Sequence, residues 1–306
     1  MNARARTCAG IAVASVSCVA DAHGVHGGTD AAGWTFDAWV VGPLLVSLAW
    51  YATGYLRLRA RSTMAVAHRA SAGWFIAGWL VLAAALVTPL HEAGERSFAA
   101  HMLEHELLML AAAPLLVLSR PLGIALWAFP HAARQALAAL GRGISTPWRA
   151  LTAPVTATVL QAVALWLWHA PRLFDLALAN PGWHVVQHLS FLLSALLFWW
   201  AVLRGHEQRV GVAVGCLFFT ATVSGALGAL MAFSSSPWYA GYASSGLDAF
   251  GLTPAEDQQL AGLLMWIPAG VTFIAGGLTL FAAWLRESDK HTRYGPALPA
   301  PSPHVN

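Results

Sequence analysis

Long apolar runs constrain this chain more than any other feature of its sequence. Hydrophobic residues make up 58% of its 306 residues and charged residues only 10%, whereas soluble domains carry about 25% charged residues. A membrane-crossing helix needs roughly 18 or more predominantly apolar residues. Because a helix satisfies its own backbone hydrogen bonds in hydrocarbon, we predict an all-α polytopic membrane helix bundle. Its seven predicted transmembrane helices lie near residues 36–56, 73–90, 98–118, 151–168, 185–203, 212–233 and 261–285.

The basic residues predict the topology of these spans. If the first span starts outside, the inward-facing segments carry thirteen Lys and Arg residues, against only Arg96 and Arg172 in the outward-facing ones. Short cytoplasmic loops of membrane proteins carry such an excess of Arg and Lys. We therefore predict an outer N-terminus, a cytoplasmic tail at 287–306 and membrane lipid as the surroundings. The basic residues are scattered over short loops, which favours a role as topology determinants over a role in nucleic-acid binding.

Residues 1–22 have the pattern of a secretory signal peptide. Arg4 and Arg6 precede the short apolar segment 8–20, and small residues follow at 20–22. Cleavage after Ala22 would leave a periplasmic segment, 23–35, in front of the seven-span domain at 36–286. The alternative is an uncleaved anchor. Both alternatives predict the bacterial inner membrane.

The cysteines restrict the metal sites that this chain can form. Of the three, Cys8 and Cys18 lie in the predicted signal, and Cys216 lies within a span. A disulfide within the mature chain and a CxxC metal site are therefore excluded. Any metal would be held by histidine, methionine or carboxylate.

Two histidine pairs repeat the same spacing at the predicted outer ends of two spans. His101 and His105 begin the third span, and His184 and His188 begin the fifth. Residues four apart share one helix face, and polar residues in spans usually face the bundle interior and mark function. We predict these four as primary metal ligands. Supporting candidates stand at the ends of the second and fourth spans, at His91 and His169.

The remaining candidates depend on the metal. Cysteine-free histidine sites suit Cu(II), Zn or non-haem iron, and methionine favours Cu(I). Less certain candidate ligands are Met102, Met231 and Met265, together with His23 and His26 of the N-terminal segment. Asp175 and Asp257 are expected to tie loops to helix ends or to orient a histidine. Glu104 is left with three possible roles, as a ligand, an orienting residue or a cap.

The stretch "HMLEH" (101–105) has three interpretations. It matches the H-x-x-E-H pattern of inverted zinc proteases. Such a site also needs a third metal ligand, and Asp175 is only a weak candidate for it. A pair of haems bound by histidines would need ligands several turns apart on one helix. Copper handling at the outer face is the third interpretation. Since no bond-making chemistry is evident, we expect a protein that is not an enzyme.

Several longer stretches resemble the CtaG family, the caa3-type cytochrome c oxidase assembly factors. They are "HMLEHELLMLAAAPLLVLSRPL" (101–122), "WLWHAPRLFDLALANPGWHVVQHLSFLLSALLFWW" (166–200), "SPWYAGY" (236–242) and "DQQLAGLLMWIPAG" (257–270). The motif positions are His101, His105, His169, Asp175, His184, His188, Asp257 and Met265, and Glu104 is an additional charge.

This resemblance implies a seven-span protein that binds copper, as Cu(I) or Cu(II), and provides it to an oxidase. The implied partners are a cytochrome c oxidase subunit, a periplasmic copper chaperone or both. The alternatives are a copper transporter, which would need ligands through the depth of the membrane, a haem-binding membrane protein and a structural scaffold. The oligomeric state is left open.

Overall fold

The computed structural model describes residues 33–61, 65–204, 210–244 and 251–294. These residues form helices and connecting turns without a strand, which confirms the all-α prediction. The predicted signal peptide, the part of the N-terminal segment that carries His23 and His26, and most of the predicted tail lie outside the described residues. The α-helices are α1 Ala38–Arg59, α2 Ala65–Val87, α3 Pro89–Arg96, α4 Phe98–Glu106, α5 Ala113–Leu118, α6 Pro121–Ala125, α7 His131–Gly143, α8 Ser145–Leu151, α9 Pro154–Trp168, α10 Pro171–Ala179, α11 Pro181–Arg204, α12 Val210–Ala232, α13 Ala240–Ala243 and α14 Pro254–Tyr294.

The described helices confirm a multi-pass membrane bundle. Helix α4 continues through a π-helical segment, Leu107–Ala112, into α5, so that these three pieces form one span. A further pair, α8 and α9, is bent by 63° at a short break, and it adds a seventh span if the two helices cross the membrane as one. The described part of the chain therefore contains six candidate spans, or seven with the bent pair. The six are Ala38–Arg59, His68–Val87, Phe98–Leu118, Pro181–Arg204, Val210–Ala232 and Pro254–Arg286.

The last helix is much longer than the apolar run that predicts it. The predicted span was 261–285, whereas α14 extends over 41 residues, from Pro254 to Tyr294. Proline is well suited to the first helical position, and the acidic first turn with Glu256 and Asp257 complements the helix dipole. Hydropathy detects only the part of a helix that lies in hydrocarbon, so both polar ends were missed.

Polar contacts show which helix ends lie together. The Asp257 carboxylate, at the start of α14, accepts hydrogen bonds from residues at the start of α4. The hydroxyl of Tyr239, just before α13, donates to the carbonyl of His169, just after α9. We call this end of the bundle the histidine end. At the opposite end, the arginine end, Arg204 donates to the carbonyls of Val117 and Leu118.

A break at Ser97 separates the short helix α3 from the third span. Ser97 is extended, and its hydroxyl accepts a hydrogen bond from the amide of Ala100, as an N-cap residue does. Asp257 accepts three more, from the Ser97 hydroxyl at 2.8 Å and from the amides of Phe98 at 2.6 Å and Ala99 at 3.0 Å. The backbone N–H groups of the first turn, which have no partner within the helix, are thereby hydrogen-bonded inside the bundle. This cap sets the residue at which the third span begins.

Small residues bring α12 and α14 into close contact. A Cβ atom added at Gly228 of α12 would lie 2.8 Å from the carbonyl oxygen of Gly262 of α14. A Cβ at Gly262 would overlap the Gly228 carbonyl and lie 2.5 Å from the Ala232 nitrogen. Membrane helices use such small residues to approach each other closely. The crossing holds α14, and with it Asp257, against the rest of the bundle.

We predict that Gly262→Ala destabilises the folded protein by about 1–3 kcal/mol, the usual cost of overpacking a tight interface. The added methyl group meets backbone atoms, which cannot rotate away. The measurement is the thermal unfolding midpoint in detergent. Gly270→Ala is the matched control because a Cβ there meets no atom within 4 Å. Equal midpoints for the two variants would contradict the close crossing.

Candidate metal centre

Five histidines from three helices form one cluster at the histidine end. They are His91 of α3, His101 and His105 of α4, and His184 and His188 of α11. The two pairs seen in the sequence face each other: the ring centroids of His101 and His184 are 5.3 Å apart, and those of His105 and His188 are 4.9 Å apart. His91 stacks on His184 with a centroid distance of 5.5 Å.

Three of these side chains have the spacing of metal ligands. His101, His105 and His188 each offer a ring nitrogen, and these nitrogens all lie within 4.8 Å of one another. Nitrogens bound to one tetrahedral metal ion at about 2.0–2.1 Å lie roughly 3.4 Å apart. Small rotations of the three side chains would therefore bring them to a shared ion. The ring of His184 lies 4.3 Å from that of His188 and could supply a fourth nitrogen.

Five ring nitrogens of the cluster have no hydrogen-bond partner among the described residues. They are Nε2 of His101, Nε2 of His184, Nε2 of His188 and both ring nitrogens of His105. Buried polar atoms in folded proteins are nearly always paired, and an exception calls for a ligand, an ion or a water. Unpaired nitrogens on the same three histidines whose ring nitrogens lie within 4.8 Å of one another fit a cation-binding centre.

Glu104 lies between the histidines and is completely buried. Its Oε1 accepts a hydrogen bond from Nδ1 of His91 at 2.8 Å and lies 3.6 Å from Nδ1 of His188. When a carboxylate accepts a hydrogen bond from one ring N–H of an imidazole, the other ring nitrogen keeps its lone pair for a metal. The hydrogen bond from His91 to Glu104 also raises the pKa of His91, against the opposing effect of burial. The geometry thus fits the orienting role for Glu104.

Tyr242 of α13 orients His101 in a similar way, and the sequence did not single it out. Its hydroxyl donates to the carbonyl of Gly94 and lies 3.3 Å from Nδ1 of His101. Since the hydroxyl hydrogen is used on Gly94, the oxygen accepts from Nδ1, and Nε2 of His101 keeps its lone pair. Burial raises the pKa of Tyr242 well above its usual range, so the phenol stays protonated. Its position in the "SPWYAGY" stretch is the sequence feature from which a role at the site could have been predicted.

Local sequence places α3 and α11 around the cluster. Thr88 caps α3, and Pro89 is its first residue. Helix α3 then packs against α4. Gly94 permits the close packing, because a Cβ there would lie 3.2 Å from Cα of His101. On the other side, the Asn180 side chain accepts from the amides of Gly182 at 2.9 Å and Trp183 at 3.2 Å and so caps the start of α11. The histidines of each pair then follow within two turns.

The cluster is deepest at the third span and opens toward the end of the bundle. His101 and His105 are 1% exposed, whereas the side chains of His91 and His188 are 15% and 11% exposed. His184 is also partly exposed. The stacked pair His91 and His184 therefore lies at the opening, through which a metal ion would reach the buried ligands.

His169 lies near the cluster but has other partners. Its Nδ1 lies 2.6 Å from the carbonyl oxygen of Leu165, and its Nε2 lies 3.4 Å from Sδ of Met102. Phe174 contacts both His169 and His101, and Phe191 contacts both His169 and His105. The structure therefore pairs His169 with Met102 behind two aromatic rings. Burial lowers the pKa of His169 to about 4.

The other candidates lie outside this group of imidazoles. Met231 and Met265 are buried in the apolar core. Asp257 caps α4, as described above. Asp175 of α10 lies 3.4 Å and 3.3 Å from the amides of Ala240 and Gly241, and so ties α10 to α13. Both carboxylates therefore fix the elements that carry Tyr242 and the histidines.

Glu106 lies on a different face of the third span from the cluster. It lines a small cavity of about 20 Å³ with polar side chains of three other residues, Gln161, Thr220 and Ser224. The π-helical segment begins directly after it, at Leu107, and single π-turns often accompany functional positions. The two glutamates of the "HMLEHE" stretch thus have separate surroundings, and only Glu104 contacts the histidines.

Comparison with known proteins identifies the family. The profile of the cytochrome c oxidase caa3 assembly factors, Caa3_CtaG, matches residues 49–287. The chain belongs to this family. The matched range contains every histidine of the cluster, as well as Glu104 and Tyr242.

Two curated relatives are similar over most of this chain. Both are described as uncharacterised proteins, one from Mycobacterium bovis and one from Mycobacterium tuberculosis, and each is 28% identical over 273 residues. The alignment covers 83% of this chain and 40% of each relative. The chain therefore spans well under half the length of these relatives. No solved structure matches it.

We predict that Tyr242→Phe lowers the affinity of the cluster for Cu⁺ or Zn²⁺ by about 10–100-fold, the usual effect of removing a residue that orients a ligand. Without the hydroxyl, Nδ1 of His101 loses its acceptor. The measurement is a competition titration against a chromophoric chelator.

Tyr239→Phe is the matched control for this titration. Its buried hydroxyl donates to the carbonyl of His169 rather than to a cluster residue. We expect its metal affinity to equal that of the unchanged protein. Equal losses in the two variants would mean that Tyr242 acts through general stability.

Proposed function

We propose that this membrane protein binds copper at the histidine cluster and delivers it to a cytochrome c oxidase during assembly. The observation that carries the proposal is the group formed by His101, His105 and His188, whose ring nitrogens lie within 4.8 Å of one another. Membership of the caa3 oxidase assembly factors supplies the biological setting. The oxidase is thus the acceptor, and copper is the cargo.

The ligand chemistry supports copper. Imidazole nitrogens without cysteine suit copper, zinc and iron, and thioether sulfur adds a preference for Cu(I). The sulfur of Met102 lies beside His169, one residue from His101 in the sequence. This pair would receive Cu(I) as it leaves the cluster.

The charge of the site also suits a bound cation. A cation that is buried in a membrane bundle without compensation is costly. Glu104 brings a carboxylate to the cluster and is completely buried there. It would offset part of the charge of a copper ion while its hydrogen bond holds the imidazole of His91 in place.

A cluster at one end of the bundle fits delivery better than transport. The five histidines all lie at the histidine end, and the cysteine of α12, Cys216, is buried near the start of that helix, toward the arginine end. The excess of arginine predicted for the cytoplasmic side supports a periplasmic location of the histidine end in the inner membrane. There the site would receive copper from a periplasmic chaperone. The proposed role is binding and hand-over, without an enzymatic step.

We predict that the purified protein holds copper, and that changing His101, His105, His184 and His188 to Ala removes it. The measurement is elemental analysis after expression with added copper, together with the copper content of the co-expressed oxidase. His68→Ala with His131→Ala is the control, since neither residue belongs to the cluster. Metal that is equally low in the unchanged protein and the fourfold variant would overturn the copper site.

The same samples distinguish the alternatives. A Soret absorption band that is lost in the fourfold variant would indicate haem instead of copper. Copper uptake into vesicles that contain the protein would indicate transport. Normal copper binding with an unchanged copper content of the oxidase would separate the metal site from the proposed delivery.

We predict that Glu104→Gln weakens copper binding at least about ten-fold, because the amide carries no charge and is a weaker acceptor for the imidazole N–H groups. Glu106→Gln is the matched control: it makes the same chemical change two residues further along the chain, on a different face of the helix. The measurement is the chelator titration used for Tyr242. A larger loss in Glu106→Gln would mean that the wrong carboxylate has been assigned.

A further inference from the structure

A cavity lies at the arginine end of the bundle, far along the spans from the histidines. It has a volume of about 380 Å³. Its arginines are Arg57 from the last turn of α1, Arg61 two residues after the end of α1, and Arg134 from α7. Its walls include Trp127, Phe129 and His131. The family relationship and the proposed copper site give this cavity no role.

The arginines make this cavity positive, and no carboxylate of the described residues lines it. Within the described ranges, none of the three guanidinium groups forms an ion pair with a carboxylate. Three adjacent positive charges repel each other, so the arrangement favours binding of an anion.

Arg134 shows that the site is built rather than a chance meeting of flexible side chains. Its guanidinium lies over the ring of Trp127, 4.1 Å from the ring centroid, a cation–π contact that restricts its orientation. Its Nε is buried and has no hydrogen-bond partner in the described part of the chain. An arginine that is held in place with a free donor can contact a phosphate or a carboxylate.

The elements that form the cavity are tied to each other. Trp50 of α1 donates from Nε1 to the carbonyl of Ala125 at 3.0 Å, and its ring packs edge-on against Phe129 at 5.3 Å. Arg57 donates to the carbonyl of Ala128. The cavity therefore keeps its shape because α1 and the segment before α7 are joined by these contacts.

The position along the spans indicates the depth of the cavity in the membrane. Helix α1 has 22 residues, so it extends about 33 Å at 1.5 Å per residue, close to the hydrocarbon thickness of about 30 Å. Arg57 and Arg61 lie at its end, where lipid headgroups begin. None of the residues of α7 is buried by the protein, and its mixture of apolar and basic side chains is typical of interfacial helices.

We propose that this cavity binds the phosphate of an anionic phospholipid headgroup. The arginines would hold the phosphate, and the aromatic walls would contact the glycerol and the first carbons of the acyl chains. Basic pockets between spans bind anionic headgroups in this manner. A free phosphate ion shares the chemistry of the headgroup but would leave the aromatic walls unused.

The test compares two lipids with identical acyl chains, phosphatidylglycerol and phosphatidylcholine. The full-length protein in a neutral detergent is titrated with each lipid, and one-to-one complexes are counted by native mass spectrometry. We expect phosphatidylglycerol to bind at least about ten-fold more tightly than phosphatidylcholine, because only the former carries a net negative charge for the arginines.

The variants assign this preference to the cavity. Arg61→Gln with Arg134→Gln should weaken phosphatidylglycerol binding by at least about ten-fold and leave the binding of phosphatidylcholine unchanged. Arg142→Gln is the matched control, because Arg142 also lies on α7 but does not line the cavity. If the double variant is unstable, Arg61→Gln alone should still show a preference reduced by several-fold.

Three results would overturn the proposal. The first is equal binding of the two lipids by the unchanged protein. The second is phosphatidylglycerol binding by the double variant, or by a stable Arg61→Gln, that is as tight as in Arg142→Gln. The third is displacement of the lipid by inorganic phosphate at equal concentration, which would assign the cavity to a free anion.

Discussion

The hydrogen bonds between Asp257 and the start of the third span determine where the histidine cluster forms. Asp257 accepts from Ser97, Phe98 and Ala99, so the third span begins at a residue set by the last span. Once the first turn of a helix is placed, its period places every later side chain. The directions of His101 and the residues one turn further therefore depend on this contact between segments that are 160 residues apart.

Some ring nitrogens of the histidine cluster have hydrogen-bond partners, and others have none. Glu104 accepts from His91, and Tyr242 accepts from His101 while it donates to Gly94. These contacts use Nδ1 of His91 and Nδ1 of His101, whereas Nε2 of His101 and both ring nitrogens of His105 have no partner among the described residues. Since an unpaired buried polar atom is costly, the arrangement is stabilised by whatever fills the centre. The arginine end has the opposite chemistry, with free donors in place of free acceptors.

Much of the fold could be predicted from the sequence, because hydropathy and helix period act locally. The apolar runs indicated the spans, and the i, i+4 spacing predicted that His101 and His105 share one face. The site could be predicted only in part. Glu104 was a candidate from its place between the paired histidines, but only the packing of α3 and α11 shows that it contacts imidazole. His169 was a candidate on the same grounds as His91, yet the folded chain pairs it with Met102.

The sequence by itself determined a membrane bundle of helices, the histidine pairs and the family, because each of these depends on neighbouring residues or on a recognisable string. The tertiary structure decided which imidazoles point at one another and which residues orient them. A helix in a bilayer can rotate about its axis without changing its hydropathy. Only contacts with other helices, such as the close packing at Gly94 and the cap from Asp257, select one rotation. Tyr242 shows this most clearly, since its contact with His101 joins residues 141 positions apart.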